Sequence, residues 1–417
     1  MQNMASKFIH RYPALSYRDF RLLWFSQLIS ASGSQMQIVA VNWQIYLLTH
    51  SALALGLLGL MRVVPIVIFS LIGGSVADVF NRKKVLLLCQ TSLTILSAVL
   101  AVATFTHTVS SYLIYGVIVL SAVAMAFNMP AQQALLPNLV DRKHLTNALS
   151  LNAILRQVAS IGGPAIGGLI IGHFNIGSVY ALNAVTFLAV IMALLFMKTS
   201  GLAINDTPST ISWESVKEGL QFVISKKLIW STMILDFFST FFASATALLP
   251  IFAQDILHVG PEGLGMLYSA DSIGALIAGG VVASIEKVGK QGKILLVSIA
   301  AYAVGTIMFG LSKNYYLSIL ALAIVGAGDS ISTIIRNTIR QIATPDYIRG
   351  RMTAINMIFF MGGPQLGEFE AGVMASLIGA PLSVMTGGIG TLVVVCVVAF
   401  TIPVLRRYNT HESHSLL

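Results

Sequence analysis

The sequence predicts an all-α membrane protein made of two related halves, each with six spanning helices. Of its 417 residues, 56% are hydrophobic and 10% are charged, whereas soluble proteins average about 25% charged residues. The mean hydropathy is +0.83. A glycine-rich segment also occurs twice, as GGPAIGGLIIG at 162–172 and as GGPQLGEFEAG at 362–372, with two glutamates added in the second copy. A duplicated membrane scaffold is typical of a transporter whose substrate site lies between the repeats.

Each spanning helix needs about 20 mainly apolar residues. Windows of this kind occur at 20–48, 54–77, 83–106, 111–135, 146–173, 177–198, 228–253, 263–285, 291–312, 315–338, 350–377 and 380–404. Their even number places both termini on the same side of the membrane. Because the fifth and the eleventh windows carry the repeated glycine segment, the repeated unit comprises six helices.

A short polar connector joins the two halves. Its segment 212–227 places apolar residues at the spacing of an amphipathic helix, which suits the cytoplasmic surface of the membrane. We therefore expect a six-helix bundle over 1–198, a cytoplasmic linker with an amphipathic helix over 199–227, and a second six-helix bundle with a short cytoplasmic tail over 228–417.

The net charge of +9 follows the predicted topology. Lysine and arginine collect at the termini and at one set of alternate loops, as in Arg82, Lys83 and Lys84, while the opposite loops hold only Lys313. This asymmetry matches the positive-inside rule and places both termini in the cytoplasm. The charge therefore indicates a multi-pass membrane protein, with the lipid bilayer as its partner, and argues against nucleic-acid binding.

The sequence carries no signature of a cofactor, a metal site or an enzyme. Cys89 and Cys396 lie in apolar windows and form neither a disulfide framework nor a metal-ligand spacing. The phosphate-binding pattern GxxxxGK[ST] and the zinc-binding pattern HExxH do not occur. We therefore expect no step driven by ATP, no catalytic residue and no bound metal.

The loop between the second and third windows reads GSVADVFNRKK, residues 74–84. It resembles the loop signature of the major facilitator superfamily at Gly74, Asp78 and Arg82. Asn81 stands where the signature has glycine, and asparagine tolerates the left-handed backbone angles that such a turn requires. The resemblance implies that Asp78 and Arg82 form a latch that holds the cytoplasmic gate closed.

Three further segments resemble the drug- and siderophore-efflux branch of this superfamily, which includes macrolide-efflux proteins. They are ATPDYIRGRMTAIN at 343–356, the second glycine copy at 362–372, and FNMPAQQALLPNLV at 127–140. In the last of these, Gln132 stands where the branch leads us to expect arginine. The resemblance covers about 20–400 and implies alternating access by two rocking six-helix bundles in a monomeric protein.

Acidic residues inside the predicted spans are functional candidates because a charge within a bilayer is costly. Glu368, Asp236, Asp329 and Glu370 are candidates for proton coupling, since a carboxyl group in a low dielectric can change its protonation state. Glu368 and Glu370 lie about 200° apart around a helix, so only one of them can face a central cleft, and we expect this to be Glu368. The alternative for each acid is a structural role, such as pairing of Asp329 with Arg336.

Three other ionisable residues are candidates for the substrate cavity. Arg156 could hold an anionic substrate or neutralise an acid across the cleft. Arg62 could have the same role or could extend toward the outer surface, and Asp271 is the third candidate. The two arginines lie in the first half and the acids in the second, which suggests attraction across a central cleft when the halves close.

The first window is unusually polar for a spanning segment. A polar stripe that faces a water-filled cavity would explain Gln37 and Gln44, and Trp43 would offer an aromatic face to a lipophilic substrate. Hydrogen bonding between helices is the alternative explanation.

The repeated segment supplies a predicted gating motif, and its first copy resembles the Gly-Pro motif of helix five that is associated with antiporters. The members of this motif are Gly163, Pro164, Gly167, Gly168, Gly363, Pro364 and Gly367. Glycine permits close contact between helices, and proline removes a backbone hydrogen bond and permits a bend. The alternative is close packing without movement.

These features together predict a secondary transporter that exports small amphipathic organic molecules, either drug-like compounds or siderophores, in exchange for protons. Uptake and lipid flipping by the same fold are alternative hypotheses, because the sequence does not fix the direction of transport. A non-transporting membrane receptor is a third hypothesis, but it would not require acids inside the membrane.

Overall fold

The computed structural model describes residues 12–202, 213–286, 289–345 and 348–409. Helices joined by short turns account for this part of the chain. Residues 203–212 of the predicted linker and the side chain of Asp78 lie outside the described part.

Six long helices form the first half. They are α1 (Arg18–Thr49), α2 (Ala52–Val79), α3 (Arg82–Phe105), α4 (Ser111–Leu135), α5 (Leu145–His173) and α6 (Ile176–Phe196). Polar side chains at the turns cap the helices that follow. Asn81 accepts hydrogen bonds from the backbone N–H groups of Lys83 and Lys84 and so begins α3. Its backbone is extended, with φ of −61°, so Asn81 acts as a helix cap and not through the left-handed turn that we expected.

The second half contains an amphipathic helix, six spanning-length segments and a short terminal helix. The helices are α7 (Trp213–Ser225), α8 (Lys227–Phe242), α9 (Gly260–Ala283), α10 (Gln291–Leu311), α11 (Tyr315–Ala343), α12 (Arg349–Ile378), α13 (Ala380–Thr401) and α14 (Pro403–Arg407). Helix α7 occupies the segment where the sequence predicts an amphipathic helix. Its Glu218 forms an ion pair with Arg351 at the start of α12.

The segment after α8 is a broken helix. It continues as a 3-10 turn (Ala245–Leu248), a single α turn that contains Pro250, and a π-helix (Phe252–Ile256). A break in an apolar environment leaves backbone carbonyls that need other partners. The hydroxyl groups of Tyr302 and Tyr268 supply them, because they donate to the carbonyl oxygens of Ala243 and Thr246 at 3.2 and 3.1 Å.

Ten segments of the described chain are long and apolar enough to cross a membrane. They include α2 to α6, the broken segment Lys227–Ile256, α9 to α11 and α13. Helices α1 and α12 are as long as the others but more polar. The prediction of an all-helical, multi-pass membrane protein is therefore confirmed. Of the twelve predicted spans, ten are apolar enough in the described part of the chain to cross a membrane.

Large apolar side chains are exposed on many of these helices, as an environment of lipid requires. Leu88, Val102, Val185, Ile277 and Val297 are each more than half exposed. Soluble proteins rarely expose apolar surface of this extent. Lipid is the medium that accounts for it, in agreement with the composition.

The described residues pack as two compact units. The first comprises 12–44 and 64–202, and the second comprises Ile45–Val63 together with the described residues from 213 to 409. Each unit has its own apolar core. The tip of the α1–α2 hairpin therefore packs with the second half of the chain, although most of α1 and α2 belongs to the first unit.

The repeated glycine segment makes an equivalent contact in each unit. A Cβ atom on Gly163 of α5 would lie 2.8 Å from the carbonyl oxygen of Ser32 on α1. A Cβ atom on Gly363 of α12 would lie 3.1 Å from the carbonyl oxygen of Phe237 on α8. The duplication thus preserves a helix contact that only a residue without a side chain permits.

The glycine contact can be tested with two adjacent positions. Gly163→Ala should lower the unfolding temperature because its methyl group would collide with α1. Gly162→Ala should keep or raise it, because a Cβ there meets no atom within 4 Å and alanine favours a helix over glycine by about 1 kcal/mol. Thermal unfolding of the purified protein in detergent measures both, and equal unfolding temperatures for the two variants would contradict the contact.

Candidate functional site

A buried charge network lies inside the second unit, between α8 and α11. Arg336 Nη2 lies 3.0 Å from Oδ1 of Asp236, and Arg340 Nη1 lies 3.7 Å from Oδ2 of the same carboxylate. The three side chains are at most 3% exposed. Arg336 and Arg340 are one helical turn apart, so both guanidinium groups face α8. One carboxylate therefore joins two arginines in a place where none of the three charges could remain alone.

The guanidinium groups are only partly satisfied by hydrogen bonds. Arg336 Nη2 donates to Thr333 Oγ1 at 2.8 Å, and Arg340 donates to Asn337 Oδ1 at 3.0 Å and to the Asn356 side chain. Nε and Nη1 of Arg336, and Nε of Arg340, have no acceptor among the described residues. These N–H groups could therefore donate hydrogen bonds to an acceptor that moves toward the arginines.

Asp329 connects this network to an accessible surface. Its Oδ1 lies 3.6 Å from Arg336 Nη2, and its side chain is 47% exposed. Asp271 of α9 packs against Gly326 of α11, which lies one helical turn before Asp329. Asp271 forms no ion pair within the described part of the chain. Three carboxylates therefore accompany two arginines, so the cluster has one negative charge in excess when all five groups are ionised.

A separate ion pair joins α2 to α12. Arg62 Nη1 lies 3.2 Å from Glu368 Oε2, and the two side chains are 18% and 15% exposed. The pair is of the kind that the sequence suggested, an arginine of the first six helices beside an acid of the last six, and a role of Arg62 in a substrate cavity stays a prediction. It also gives the glutamate that replaces Gly168 of the first copy a specific partner.

Glu370 and Arg156 lie apart from these pairs. Glu370 is partly exposed, Arg156 is exposed, and neither forms an ion pair with a described residue. The structure brings together five of the predicted ionisable candidates in two groups and leaves these two outside both.

The polar residues of α1 form hydrogen bonds to other helices of the first unit, and their place in a substrate cavity stays a prediction. Gln37 Oε1 accepts hydrogen bonds from Asn183 Nδ2 at 2.6 Å and from Ser97 Oγ at 2.8 Å. Gln44 Nε2 donates to Thr104 Oγ1 of α3 at 3.1 Å, and Gln44 Oε1 accepts from the Tyr180 hydroxyl of α6 at 2.8 Å. Trp43 is only 4% exposed. The alternative explanation, hydrogen bonding between helices, accounts for these residues because amide groups in a membrane need internal partners.

The loop motif holds the end of a helix in the first unit. Arg82 Nη1 donates to the carbonyl oxygen of Ala134, in the last turn of α4, at 2.9 Å. A cation is stabilised at this end of a helix. Gly74 has no atom within 4 Å of a Cβ position, so it shows no close contact of the kind made by Gly163. The predicted latch partner Asp78 has its side chain outside the described part.

Both prolines of the repeated segment lie inside continuous helices. Pro164 belongs to α5 and Pro364 to α12. Ser244 Oγ donates to the carbonyl oxygen of Pro364 at 3.0 Å, which ties α12 to the broken helix. Gly167 and Gly367 continue the close contacts with α1 and α8. The motif is thus a packing element in both units, and its role in gating stays a prediction.

The sequence interpretation missed two groups of residues. Arg340 lies just beyond the tenth window. Its spacing of four from Arg336 places both arginines on one face of an apolar helix, and this spacing could have predicted a shared partner. Tyr46 donates a hydrogen bond to the carboxylate of Asp255, which follows the seventh window. A tyrosine at the end of a spanning segment gives no sequence signal of such a partner.

Comparison with known proteins identifies relatives over nearly the whole chain. The family described as transmembrane secretion effector matches residues 10–416. The enterobactin exporter EntS of Shigella boydii is 24% identical over 390 residues, which cover 94% of this chain and 93% of the exporter. EntS of Escherichia coli has the same identity and coverage.

Solved transporter structures share the fold at low sequence identity. A POT family transporter in complex with 5-aminolevulinic acid has a TM-score of 0.74 at 12% identity, covering 93% of this chain and 96% of the transporter. A bacterial homologue of the human lysosomal transporter Spinster, inward-facing and occupied, has a TM-score of 0.73 at 14% identity, with 94% and 97% coverage. The nucleoside transporter NupG has a TM-score of 0.70 at 13% identity, with 94% and 100% coverage. The recognition of a major facilitator fold is thereby confirmed.

The buried network predicts unequal effects of two aspartate substitutions. Asp236→Asn leaves two buried arginines without their shared carboxylate, and loss of one partner of a buried ion pair costs about 3–5 kcal/mol. Asp329→Asn should have a much smaller effect, because Arg336 keeps Asp236 and the lost carboxylate is half exposed. Thermal unfolding in detergent compares the two, and similar losses of stability would contradict the assignment of Asp236 as the central member.

Proposed function

The chain belongs to the transmembrane secretion effector family of the major facilitator superfamily, and we propose that it exports small amphipathic organic molecules in exchange for protons. In this proposal all twelve windows span the bacterial inner membrane, including the polar helices α1 and α12, and both termini are cytoplasmic. The substrate is a drug-like compound or a siderophore, and the transporter works as a monomer by alternating access.

The Arg62–Glu368 ion pair is the observation that carries this proposal. Both groups lie in helices that the proposal places within the membrane, where an isolated charge is costly. A proton on Glu368 removes its charge and so weakens its hold on Arg62. Proton binding thus changes a contact between two helices, which is what a proton-coupled transporter requires.

The second charge cluster supports proton coupling independently. Its excess carboxylate can be neutralised by a proton or by a cationic group of a substrate, and competition between the two is the basis of exchange. The half-exposed carboxylate of Asp329 is the accessible member. The unused donors of Arg336 can follow the Asp329 carboxylate if it moves.

The proposed direction of transport, export, is based on the similarity of this chain to known exporters and antiporters. The EntS relatives are named as exporters, and the Gly-Pro segment of α5 resembles that of antiporters. Uptake and lipid flipping by the same fold are the alternatives, and neither is favoured by a particular contact in the structure.

Inside-out membrane vesicles with an acidic interior test the proposal. Lipophilic cations, macrolides and catechol siderophores are added in turn while a pH-sensitive dye follows the interior. We expect one class to cause release of protons from the vesicles, and Glu368→Gln to abolish most of this release at unchanged protein abundance, because an amide cannot exchange a proton.

Glu218→Gln is the matched control, since it also removes a glutamate–arginine pair but at the exposed α7–α12 contact. It should keep proton release close to that of the parent protein. Full activity of Glu368→Gln would remove this residue from the coupling mechanism, and an equal loss in both variants would show that the effect is not specific.

A further inference from the structure

Two phenyl rings accompany the repeated glycine segment in the second unit only. There, two glycines of α12 lie against Phe237 and Phe241 of α8. In the first unit, the equivalent glycines of α5 lie against Ser32 and Met36 of α1, which have the same spacing of four residues. The close helix contact therefore does not depend on aromatic side chains, and the two rings call for another explanation.

A third ring, that of Phe359 on α12, completes an aromatic group around Gly362. Phe237 and Phe241 are nearly parallel, with ring centroids 5.9 Å apart, and Phe359 meets Phe237 edge-on with centroids 6.1 Å apart. The residue in register with Phe359 in the first copy of the repeat is Ala159. The second copy thus has three aromatic side chains where the first has serine, methionine and alanine.

Gly362 leaves open space beside these rings. Apart from adjacent residues and the backbone of its own helix, a Cβ atom there would meet only Cε2 of Phe237 within 4 Å, at an ordinary contact distance of 3.8 Å. A Cβ atom on the next residue, Gly363, would instead collide with the side chain of Thr240. The three rings and the space at Gly362 form a recess between α8 and α12, which we call the aromatic recess.

The burial of α8 favours a solute over lipid as the occupant of the aromatic recess. Among the ten apolar segments of the described chain, Lys227–Ile256 has the largest buried share, 56% of its most apolar stretch. The three phenylalanines are only partly exposed, whereas an aliphatic side chain such as Leu88 on the surface of the first unit is 71% exposed. The rings therefore lie on the most enclosed of these segments and are set back from its surroundings.

We propose that the aromatic recess binds an aromatic ring of the exported molecule. A ring beside Gly362 makes edge-on and offset-stacked contacts with the three phenyl groups, which an aliphatic group of similar size cannot make. The neighbouring Asp236 is paired with Arg336 of α11, so the recess selects a ring and not a charge. This inference rests on the proposed function and narrows its substrates to molecules with an accessible aromatic ring, such as aryl cations and catechols.

The recess lies on the helix that carries the proposed proton site. Gly362 and Glu368 are six residues apart on α12, which is about 9 Å along the helix axis. A substrate whose ring lies in the recess therefore contacts the same rigid element that holds the titrating carboxylate. Substrate and proton can influence each other through α12 alone.

A cysteine at position 362 tests the recess without a substrate. In a protein with Cys89→Ser and Cys396→Ser, Gly362→Cys adds a thiol to the recess and keeps all three rings. In membranes, benzyl methanethiosulfonate should label this thiol about fivefold faster than butyl methanethiosulfonate, which is the gain from one aromatic pair. Adding Phe237→Leu should remove most of this preference.

Gly162→Cys is the matched control, because it occupies the same place in the first copy and a Cβ there meets no atom within 4 Å. The two reagents should label it at similar rates. An equal preference for the benzyl reagent at both positions would overturn the recess. The charged reagent trimethylammonium-ethyl methanethiosulfonate should also label Gly362→Cys. If only the neutral reagents react there, lipid covers the rings and the proposal is wrong.

Protection from labelling tests the class of substrate. The probes are two pairs of equal charge, tetraphenylphosphonium with tetrabutylphosphonium, and 2,3-dihydroxybenzamide with cyclohexanecarboxamide. At least one aromatic member should slow labelling of Gly362→Cys several-fold while its aliphatic counterpart does not. Equal slowing within each pair, or no slowing by any probe, would contradict binding of an aromatic ring. This readout needs neither protons nor transport, so it separates failure of the recess from failure of the proposed exchange.

Discussion

The cost of an unpaired charge in lipid governs the second unit of this protein. Asp236 is the centre of that constraint, because it lies within 3.0 and 3.7 Å of two buried guanidinium groups, and no other described carboxylate paired with them is as buried. Helices α8 and α11 are thereby fixed relative to each other at one level. Asp329 approaches the same Arg336 at 3.6 Å and is 47% exposed, so a change of its charge costs less than a change at Asp236.

Close helix packing makes these electrostatic contacts possible. A Cβ on Gly326 would lie 2.9 Å from Oδ1 of Asp271, and one on Gly59 would lie 3.1 Å from Oε2 of Glu368. At both places a backbone carbonyl oxygen of the neighbouring helix, that of Asp271 or of Gln365, lies nearest to the Cβ position, and the carboxylate lies beside it. The glycines therefore set where acids can lie between helices, and the same residue type that permits packing in the repeated segment permits charge burial elsewhere.

Periodicity and composition predicted the helices and the membrane environment well, because both depend on local sequence. The partner of each polar residue was harder to predict, since it depends on which helices become neighbours. Arg62 and Glu368 are 306 positions apart, and nothing local distinguishes them from a snorkelling arginine and a cleft carboxylate. Gln37 shows the same difficulty, because an amide that faces water and one that bonds to two neighbouring helices have the same sequence pattern.

Glu368 combines two physical roles. Its carboxylate holds α2 beside α12 through Arg62, and in the proposed mechanism the same carboxylate takes up the proton. A proton that binds Glu368 therefore weakens the very contact that the charge maintains, and linkage makes the relation reciprocal. Coupling between the proton and this helix contact thus requires no signal across the protein. It follows from placing the titrating group at the contact itself.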